Sequence, residues 1–188
     1  MAFKDDFQKL TAKILQNKAH ITNEETTKLA LIVPFINMLG YYDTSDPVEV
    51  CSEYSAGFNK TKEKVDYAIF KNGKVIIFIE AKPARDSLTN HDPQLAKYFN
   101  STPEAKFAII TNGIRYKFYS DLSQPNIIDD TPFFELDFEN VMHNDIEILQ
   151  RFSKELFEVG SLVSFAEELV YYSKLKPEIV NLLRNGSI

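Results

Sequence analysis

The hydrophobic pattern of the first 40 residues is helical. Phe3, Phe7, Leu10 and Ile14 recur at the three- or four-residue spacing that is typical of an amphipathic helix. The stretch that follows, ITNEETTKLALIVPFINMLG, predicts a second helix.

The ends of this second helix have sequence signals of their own. Thr22 followed three residues later by Glu25 has the spacing of a capping box, which predicts the helix start. Gly40 is a suitable C-terminal stop. Pro34 predicts either a kink or the effective end of the helix, because proline lacks the backbone N–H and clashes with the preceding turn.

From VEVCSEY to FYSDL the pattern changes to that of β-strands. EKVDYAIF and KVIIFIEAK flank Asn72 and Gly73, which together are a strong hairpin signal. KFAIITNGIRYKFYS predicts a second hairpin, which turns at Asn112 and Gly113.

Helical segments lie between and after the two hairpins. NHDPQLAKYF predicts a short helix with Asp92 as its N-cap, and the chain is again helical from NDIEILQRFSKELF onward, with breaks near Gly160 and at Pro177. This order predicts an α/β or α+β domain, a mixed sheet with helices packed on it. We assign residues 1–142 to this domain and residues 143–188 to a helical C-terminal extension.

The composition is that of a globular protein. Hydrophobic residues make up 44% of the chain and aromatic residues 13%, which is enough for a sizeable core. Cys51 is the only cysteine, so an internal disulfide and a cysteine-rich zinc site are excluded. The N-terminus MAFKDDFQKL is charged, unlike a secretory signal, and no apolar run approaches the ~20 residues that span a bilayer. We expect a cytoplasmic protein without a membrane partner.

The net charge of −6 argues weakly against a protein that wraps a polyanion. It does not exclude DNA, because metal-dependent nuclease sites are themselves acidic. Lys60, Lys62 and Lys64 form a local basic cluster, for which a solvated loop is an equally good interpretation.

The first hairpin carries the candidate chemistry. An apolar run from Val75 to Ile79 leads directly into Glu80 and Lys82, which share one side of the strand. Whether Asp66 on the partner strand joins them depends on the turn: a two-residue loop points it away from Glu80, and a three-residue loop makes the two carboxylates diagonal neighbours. We predict the three-residue loop, or a bulge with the same effect.

Two carboxylates beside a lysine suit a Mg²⁺-dependent phosphodiesterase. Mg²⁺ binds one or two carboxylates together with waters and substrate phosphate oxygens. The cation activates a water and screens charge on the phosphate, while an ammonium stabilises the transition state. On physical grounds alone, the same residues are equally well interpreted as charges at the end of a sheet, because this pattern is short.

The context favours the first interpretation. The chain resembles the N-terminal nuclease domain of type I restriction enzyme R subunits, and more closely the short stand-alone proteins related to it. The resemblance lies in three successive stretches, VDYAIF–NG–KVIIFIEAK, HDPQLAKYF and FAIITNGIRYKFYSDL. These proteins belong to the PD-(D/E)xK nuclease superfamily. The resemblance covers roughly residues 22–140 and implies a restriction-endonuclease-like core, a central mixed sheet with helices on both faces.

The resemblance also implies roles for individual residues. Asp66 and Glu80 would be metal ligands, the backbone carbonyl of Ala81 would add a third ligand, and Lys82 would be the catalytic lysine. The position before Asp66 holds Val65 where many superfamily members have proline, a departure that is common in this branch.

Three further site residues are predicted from the family. A Q-x-x-x-Y motif reads here Gln94 and Tyr98, four residues apart on one helix face, where they could meet the site or the DNA. The family often places a glutamate of the first core helix near the metal. We choose Glu24 for this role, since Glu25 has a local function as the second half of the predicted capping box.

The predicted function is therefore Mg²⁺-dependent hydrolysis of DNA phosphodiester bonds, with Mn²⁺ as a substitute metal, in restriction or another defence against mobile DNA. DNA is the expected partner, and a motor or specificity subunit is a further candidate, since no Walker A or helicase motif is present. The alternative is a catalytically inactive nucleic-acid-binding or assembly module with the same fold. A metal-stabilised scaffold without a nucleic-acid role is the third hypothesis.

Overall fold

A computed structural model describes residues 2–41, 48–55, 64–88 and 92–185. The α-helices are α1 (Ala2–Asn17), α2 (Glu24–Thr27), α3 (Val33–Met38), α4 (Pro93–Asn100), α5 (Asp145–Gln150) and α6 (Val159–Asn185). The strands are β1 (Val50–Tyr54), β2 (Val65–Lys71), β3 (Lys74–Ala81), β4 (Phe107–Thr111), β5 (Arg115–Tyr119) and β6 (Phe134–Asp137). A 3-10 turn, Lys18–His20, follows α1, and a π-helical turn, Lys28–Ile32, joins α2 to α3. Of the predicted basic cluster, Lys60 and Lys62 lie outside the described residues.

The six strands form one mixed sheet in the order β1 to β6. Neighbouring strands are antiparallel except β3 and β4, which are parallel and joined by a crossover that contains α4. One face of the sheet packs against α1, α3, α5 and the start of α6, and the other packs against α4. The predicted α/β fold, a restriction-endonuclease-like mixed sheet flanked by helices with a helical C-terminus, is confirmed.

The β2–β3 hairpin turns through two residues, so the predicted three-residue loop is wrong. Lys71 pairs with Lys74, which leaves only Asn72 and Gly73 in the turn. Both turn residues have positive φ, 54° and 74°, as a type I′ turn requires. This turn follows the right-handed twist of the two strands, and it therefore competes well with the wider loop.

The register of the hairpin changes just after the turn. Phe70 pairs with Val75, whereas Ile69 pairs with Ile77, so Ile76 is an extra residue on β3. This is a β-bulge, the other device that we predicted could bring the two acidic residues to one face. Because side chains alternate along a strand, one extra residue changes which positions of β3 share a face with those of β2.

The start of α2 also differs from the prediction. The N-cap is Asn23, whose Oδ1 accepts a hydrogen bond from the Thr26 N–H at 2.8 Å, while Thr26 Oγ1 accepts from the Asn23 N–H at 3.3 Å. The predicted box of Thr22 and Glu25 is therefore wrong by one residue. Threonine and asparagine are both good N-caps, so the sequence offered two adjacent starting points.

The helix continues past Pro34. The π-helical turn Lys28–Ile32 comes directly before it, and the Val33 N–H reaches five residues back to the carbonyl of Lys28. Wider turns of this kind accommodate an irregular backbone and occur often at functional sites. Gly40, with a φ of 93°, follows the last turn of α3 as predicted.

The C-terminal part is helical, as predicted, with one difference. α6 runs through Pro177, so the predicted break there is wrong, while the predicted break near Gly160 falls just before α6 begins. Phe157 and Leu162 are buried in the same core cluster as the sheet. The division of the chain at residue 143 stays a prediction.

Candidate active site

Asp66 and Glu80 lie side by side on neighbouring strands. Tyr67 pairs with Ile79, and the same register continued by one residue sets Asp66 opposite Glu80. Phe78, two residues before Glu80, packs against α4, so the two carboxylates lie on that face of the sheet. The bulge in β3 produces this alignment, which is closer than the diagonal contact predicted from the sequence.

The Glu80 carboxyl is buried and incompletely paired. Its side chain is only 10% exposed, and its Oε1 lies 3.2 Å from Lys82 Nζ. Among the described residues, no hydrogen-bond donor reaches the buried Oε2. Burial and the nearby charge of Asp66 raise the pKa of Glu80 to about 7, against the opposing effect of the Lys82 ammonium. The protein therefore holds a carboxyl group that needs further positive charge.

Lys82 is held in place by two carboxylates. Its Nζ lies 2.5 Å from Asp92 Oδ2 as well as near Glu80. The other oxygen of Asp92 caps α4 by accepting hydrogen bonds from the N–H groups of Gln94 at 2.7 Å and Leu95 at 3.2 Å. Burial alone would lower the pKa of Lys82, but the hydrogen bond to Asp92 and the charge of Glu80 raise it overall. The lysine is therefore a fixed cation, positioned by the start of a helix.

Lys28 is a second buried cation at the site, and the sequence analysis did not identify it. Its Nζ lies 2.5 Å from Asp66 Oδ1, while Asp66 Oδ2 accepts a hydrogen bond from the Ala81 N–H at 2.7 Å. The side chain of Lys28 is 9% exposed. Burial would lower its pKa, but Asp66 and the glutamates nearby outweigh burial and raise it. Both oxygens of Asp66 are thus engaged.

Glu24 and Glu25 occupy equivalent positions around Lys28. The Oε1 of each lies 3.2 Å from Lys28 Nζ, and Glu53 Oε1 lies 3.8 Å away. The argument that Glu25 is committed to a capping box does not hold, since Thr26 has that role. Glu24 connects to Asp66 through Lys28, and its predicted role near a metal stays a prediction.

Residues 44–127 match the family model described as type I restriction enzyme R protein N terminus (HSDR_N), which is somewhat less than half of the chain. That segment is similar to the HSDR_N family. Neither the curated proteins nor the solved structures contain a significant match to the chain.

The HSDR_N segment contains Asp66, Glu80, Lys82 and Asp92, so the acidic pair and the anchored lysine belong to the matched family region. Lys28 lies outside the segment, on the preceding helix. The site is therefore built partly from the HSDR_N region and partly from the chain before it.

The two Q-x-x-x-Y residues of the HSDR_N segment have different environments. Gln94 is partly exposed beside Asp92, and its Nε2 donates a hydrogen bond to the carbonyl of Lys64. Tyr98 is 1% exposed and packs edge-on against Phe78, with ring centroids 6.2 Å apart. The structure places Gln94 at the rim and Tyr98 in the core, and their roles in catalysis stay predictions.

Three residues of the site were missed from the sequence: Lys28, Glu53, and Asp92 as the partner of Lys82. Spacing could have identified Lys28, because it precedes the buried Leu31 and Ile32 by three and four residues and so lies on the apolar face of its helix. A lysine on an apolar face needs a buried partner.

The donor set suits a hard divalent cation in part. Among the residues that the structure describes, no group of three or more His, Cys, Asp or Glu side chains is arranged to hold a metal ion. Asp66 and Glu80 nevertheless supply the two carboxylates that Mg²⁺ commonly takes from a protein, and Glu80 Oε2 is without a partner within the described residues. The residues present therefore fit such a cation, provided that the Lys28 ammonium moves away from Asp66 Oδ1 or that the cation and the ammonium contact this oxygen together.

The structure gives no indication of a membrane span. None of the helices in the described part of the chain is both long and apolar enough to cross a bilayer.

Proposed function

We propose that the chain is a Mg²⁺-dependent DNA endonuclease of the restriction type, which acts in the cytoplasm. The observation that supports this best is the pairing of Asp66 with Glu80, a buried carboxyl whose Oε2 has no partner in the described structure. Such a group is costly for folding and is characteristic of sites that bind a cation or move a proton. The match of residues 44–127 to the HSDR_N family model supports a nuclease-like role in restriction.

Asp66 and Glu80 would hold the cation, with the Ala81 carbonyl as a further ligand. Mg²⁺, when bound, would supply Lewis acidity and would lower the pKa of a coordinated water. The strands fix the two carboxylates relative to each other, because they are neighbours in one ladder. The protein thus arranges its acidic groups before substrate arrives, which reduces the ordering required during the reaction.

Lys82 would act on the phosphodiester itself. Its ammonium is charged, and Asp92 holds it beside Glu80. It can donate a hydrogen bond to the attacking water or to a phosphate oxygen that gains negative charge as the new P–O bond forms and the old one breaks. Gln94, partly exposed at the start of α4, would contact the DNA strand.

One observation favours the alternative, a DNA-binding or assembly module without catalysis. Asp66 is already fully engaged, by Lys28 at 2.5 Å and by the Ala81 N–H at 2.7 Å. If the Lys28 ammonium stays on Asp66, this carboxylate has no free oxygen for a cation and the acidic pair is a structural ion cluster. In either case, the similarity of residues 44–127 to the HSDR_N family suggests that the chain works with DNA and with a motor or specificity subunit.

The test is cleavage of supercoiled plasmid and of single-stranded DNA by the purified chain in Mg²⁺, Mn²⁺ or EDTA. Asp66→Asn, Glu80→Gln and Lys82→Met keep side-chain size while removing charge. We expect metal-dependent nicking that each of these lowers by at least about 100-fold, since each removes a group that acts on the transition state.

Glu135→Gln is the matched control, because Glu135 is an exposed glutamate on β6. It should cleave as the unaltered chain does. Cleavage that survives Asp66→Asn and Lys82→Met would refute the proposed site. Salt-dependent DNA binding without any cleavage would support the non-catalytic alternative.

A further inference from the structure

Lys28 is surrounded by more negative charge than it can neutralise. Asp66 and the glutamates at 24, 25 and 53 have carboxylate oxygens between 2.5 and 3.8 Å from its Nζ. Lys64 Nζ lies 3.7 Å from Glu53 Oε2, so the four carboxylates face two ammonium groups and a net charge of −2 remains. The cluster can therefore accept a further cation, and Lys28 has other carboxylates available if it leaves Asp66.

The backbone fixes where Lys28 can reach. The residue begins the π-helical turn, and the neighbouring Thr27 is fully buried and accepts a hydrogen bond from the Ala84 N–H at 3.1 Å through its Oγ1. Ala84 follows Lys82 by two residues, so the end of α2 is tied to the chain that leaves β3. This contact holds the Cα of Lys28 near Asp66 and leaves only its long side chain to move.

From this geometry we propose that Lys28 is a positioning residue for Asp66: it serves as an internal counter-ion that a divalent cation displaces. Without a cation, the ammonium holds Asp66 Oδ1 and keeps the carboxylate aimed at β3. When a cation binds Asp66 and Glu80, the ammonium shifts to Glu24 and Glu25, each of which already lies 3.2 Å from it. This inference rests on the proposed function, because it assumes a cation at the acidic pair.

The proposal predicts that removing the ammonium strengthens cation binding. A unit positive charge a few ångströms from a bound cation weakens its binding by about tenfold or more at the dielectric of a protein surface. Lys28→Met should therefore lower the apparent Kd for Mg²⁺ at least tenfold, whereas Lys28→Arg, which retains the charge, should not. If Lys28 only braces the helix, Lys28→Met would misplace Asp66 and raise the Kd.

The measurement is the Mg²⁺ dependence of thermal unfolding, combined with calorimetric titration of the DNA-free protein. A ligand that binds only the folded state stabilises it by RT ln(1 + [L]/Kd), so the dependence of Tm on Mg²⁺ concentration gives the apparent Kd without any cleavage. Asp66→Asn should abolish the Mg²⁺ effect and thereby locate the cation.

A second variant avoids any folding defect of Lys28→Met. Glu24→Gln with Glu25→Gln removes the carboxylates to which the ammonium would shift, and both side chains are substantially exposed, at 41% and 76%. We expect the Kd for Mg²⁺ to rise at least threefold above that of a control with Glu167→Gln and Glu168→Gln, exposed residues of α6 that change the net charge equally.

The outcomes separate this inference from the proposed function. Mg²⁺ binding that depends on Asp66 but is unchanged or weakened by Lys28→Met overturns the counter-ion role and leaves the nuclease proposal intact. If neither the unaltered chain nor Lys28→Met binds Mg²⁺, both the counter-ion role and the metal site are refuted. Binding that appears only in Lys28→Met would support the counter-ion role and would explain an inactive chain.

Discussion

Replacing Glu80 by glutamine should stabilise the metal-free protein at pH 8. The pKa of Glu80 is raised from 4.5 to about 7, chiefly by burial and then by Asp66. The folded chain therefore binds this proton more tightly than the unfolded chain does. The corresponding stability is fully present below pH 4.5 and is lost as the pH rises through about 7.

The magnitude follows from that shift. At about 1.4 kcal/mol per pKa unit, ionised Glu80 costs the folded state roughly 2–3 kcal/mol at pH 8, allowing for its partial exposure. Glutamine avoids this cost, and the figure already allows for the lost contact with Lys82, because that contact lowers the pKa of Glu80 and is included in the net shift. Lys82 keeps Asp92 at 2.5 Å, so it is not left unpaired.

The net expectation is a gain of about 2–3 kcal/mol, or a rise in Tm of roughly 4–12 °C for a chain of this size. The assay is thermal and urea unfolding in EDTA at pH 8 and pH 6; the lower value stays above the pI of 5.2. At pH 6 Glu80 is mostly protonated in the folded chain but still mostly ionised in the unfolded chain, so the gain should fall by about 1 kcal/mol and should vanish only below pH 4.5.

Glu135→Gln serves again as the control and should show no difference between the two pH values. Destabilisation by Glu80→Gln at pH 8, or an equal gain at both pH values, would refute the reasoning. Either result would mean that Glu80 is a structural partner of Lys82 and that its charge is well accommodated without a cation.

Further predictions concern the pH dependence of metal binding, the second hairpin and the helix start. The apparent affinity for Mg²⁺, measured by titration calorimetry, should rise about tenfold between pH 6 and pH 8. The reason is that a proton competes with the cation for Glu80 below its pKa of about 7. An affinity that does not change with pH would exclude Glu80 as a ligand. Gly113→Ala should lower the unfolding free energy, measured in urea, by about 2–4 kcal/mol, because the new Cβ would lie 2.6 Å from Leu31 Cβ. Gly73→Ala is the control and should cost only about 1 kcal/mol, because Gly73 has a similar φ but open space around it. Equal costs would mean that the close contact with Leu31 is easily relieved. Asn23→Ala should lower the unfolding free energy by about 1 kcal/mol while Asn23→Asp retains it, and no effect of the alanine would contradict the revised cap.

Much of the fold could be predicted from the sequence because several local signals agreed. The turn residues at both hairpins, the cap at Asp92 and the helical spacing of the N-terminal apolar residues each specify local structure. The register of the first hairpin was harder to predict. The run Val75 to Ile79 is apolar throughout, as buried strands are, so it lacks the alternation that would have located the bulge at Ile76.

The candidate site was predictable only where its residues are close in sequence. Glu80 and Lys82 share a strand, and Asp66 lies across one hairpin. Lys28 comes to Asp66 from a distant helix, and that contact depends on packing that no local pattern reports. The choice of Glu24 over Glu25 relied on a cap that the structure places one residue later, so that reason no longer holds, while the role of Glu24 stays a prediction.

The dual role of Asp92 has a consequence for how the site moves. One of its oxygens accepts hydrogen bonds from the first amides of α4 and the other binds Lys82, so we expect fraying of the helix start and release of the lysine to be coupled. Hydrogen exchange at the amides of Gln94 and Leu95 therefore reports how long the lysine stays in position. The order of the Lys82 side chain can in this way be followed through backbone amides, in the absence of substrate, metal or turnover.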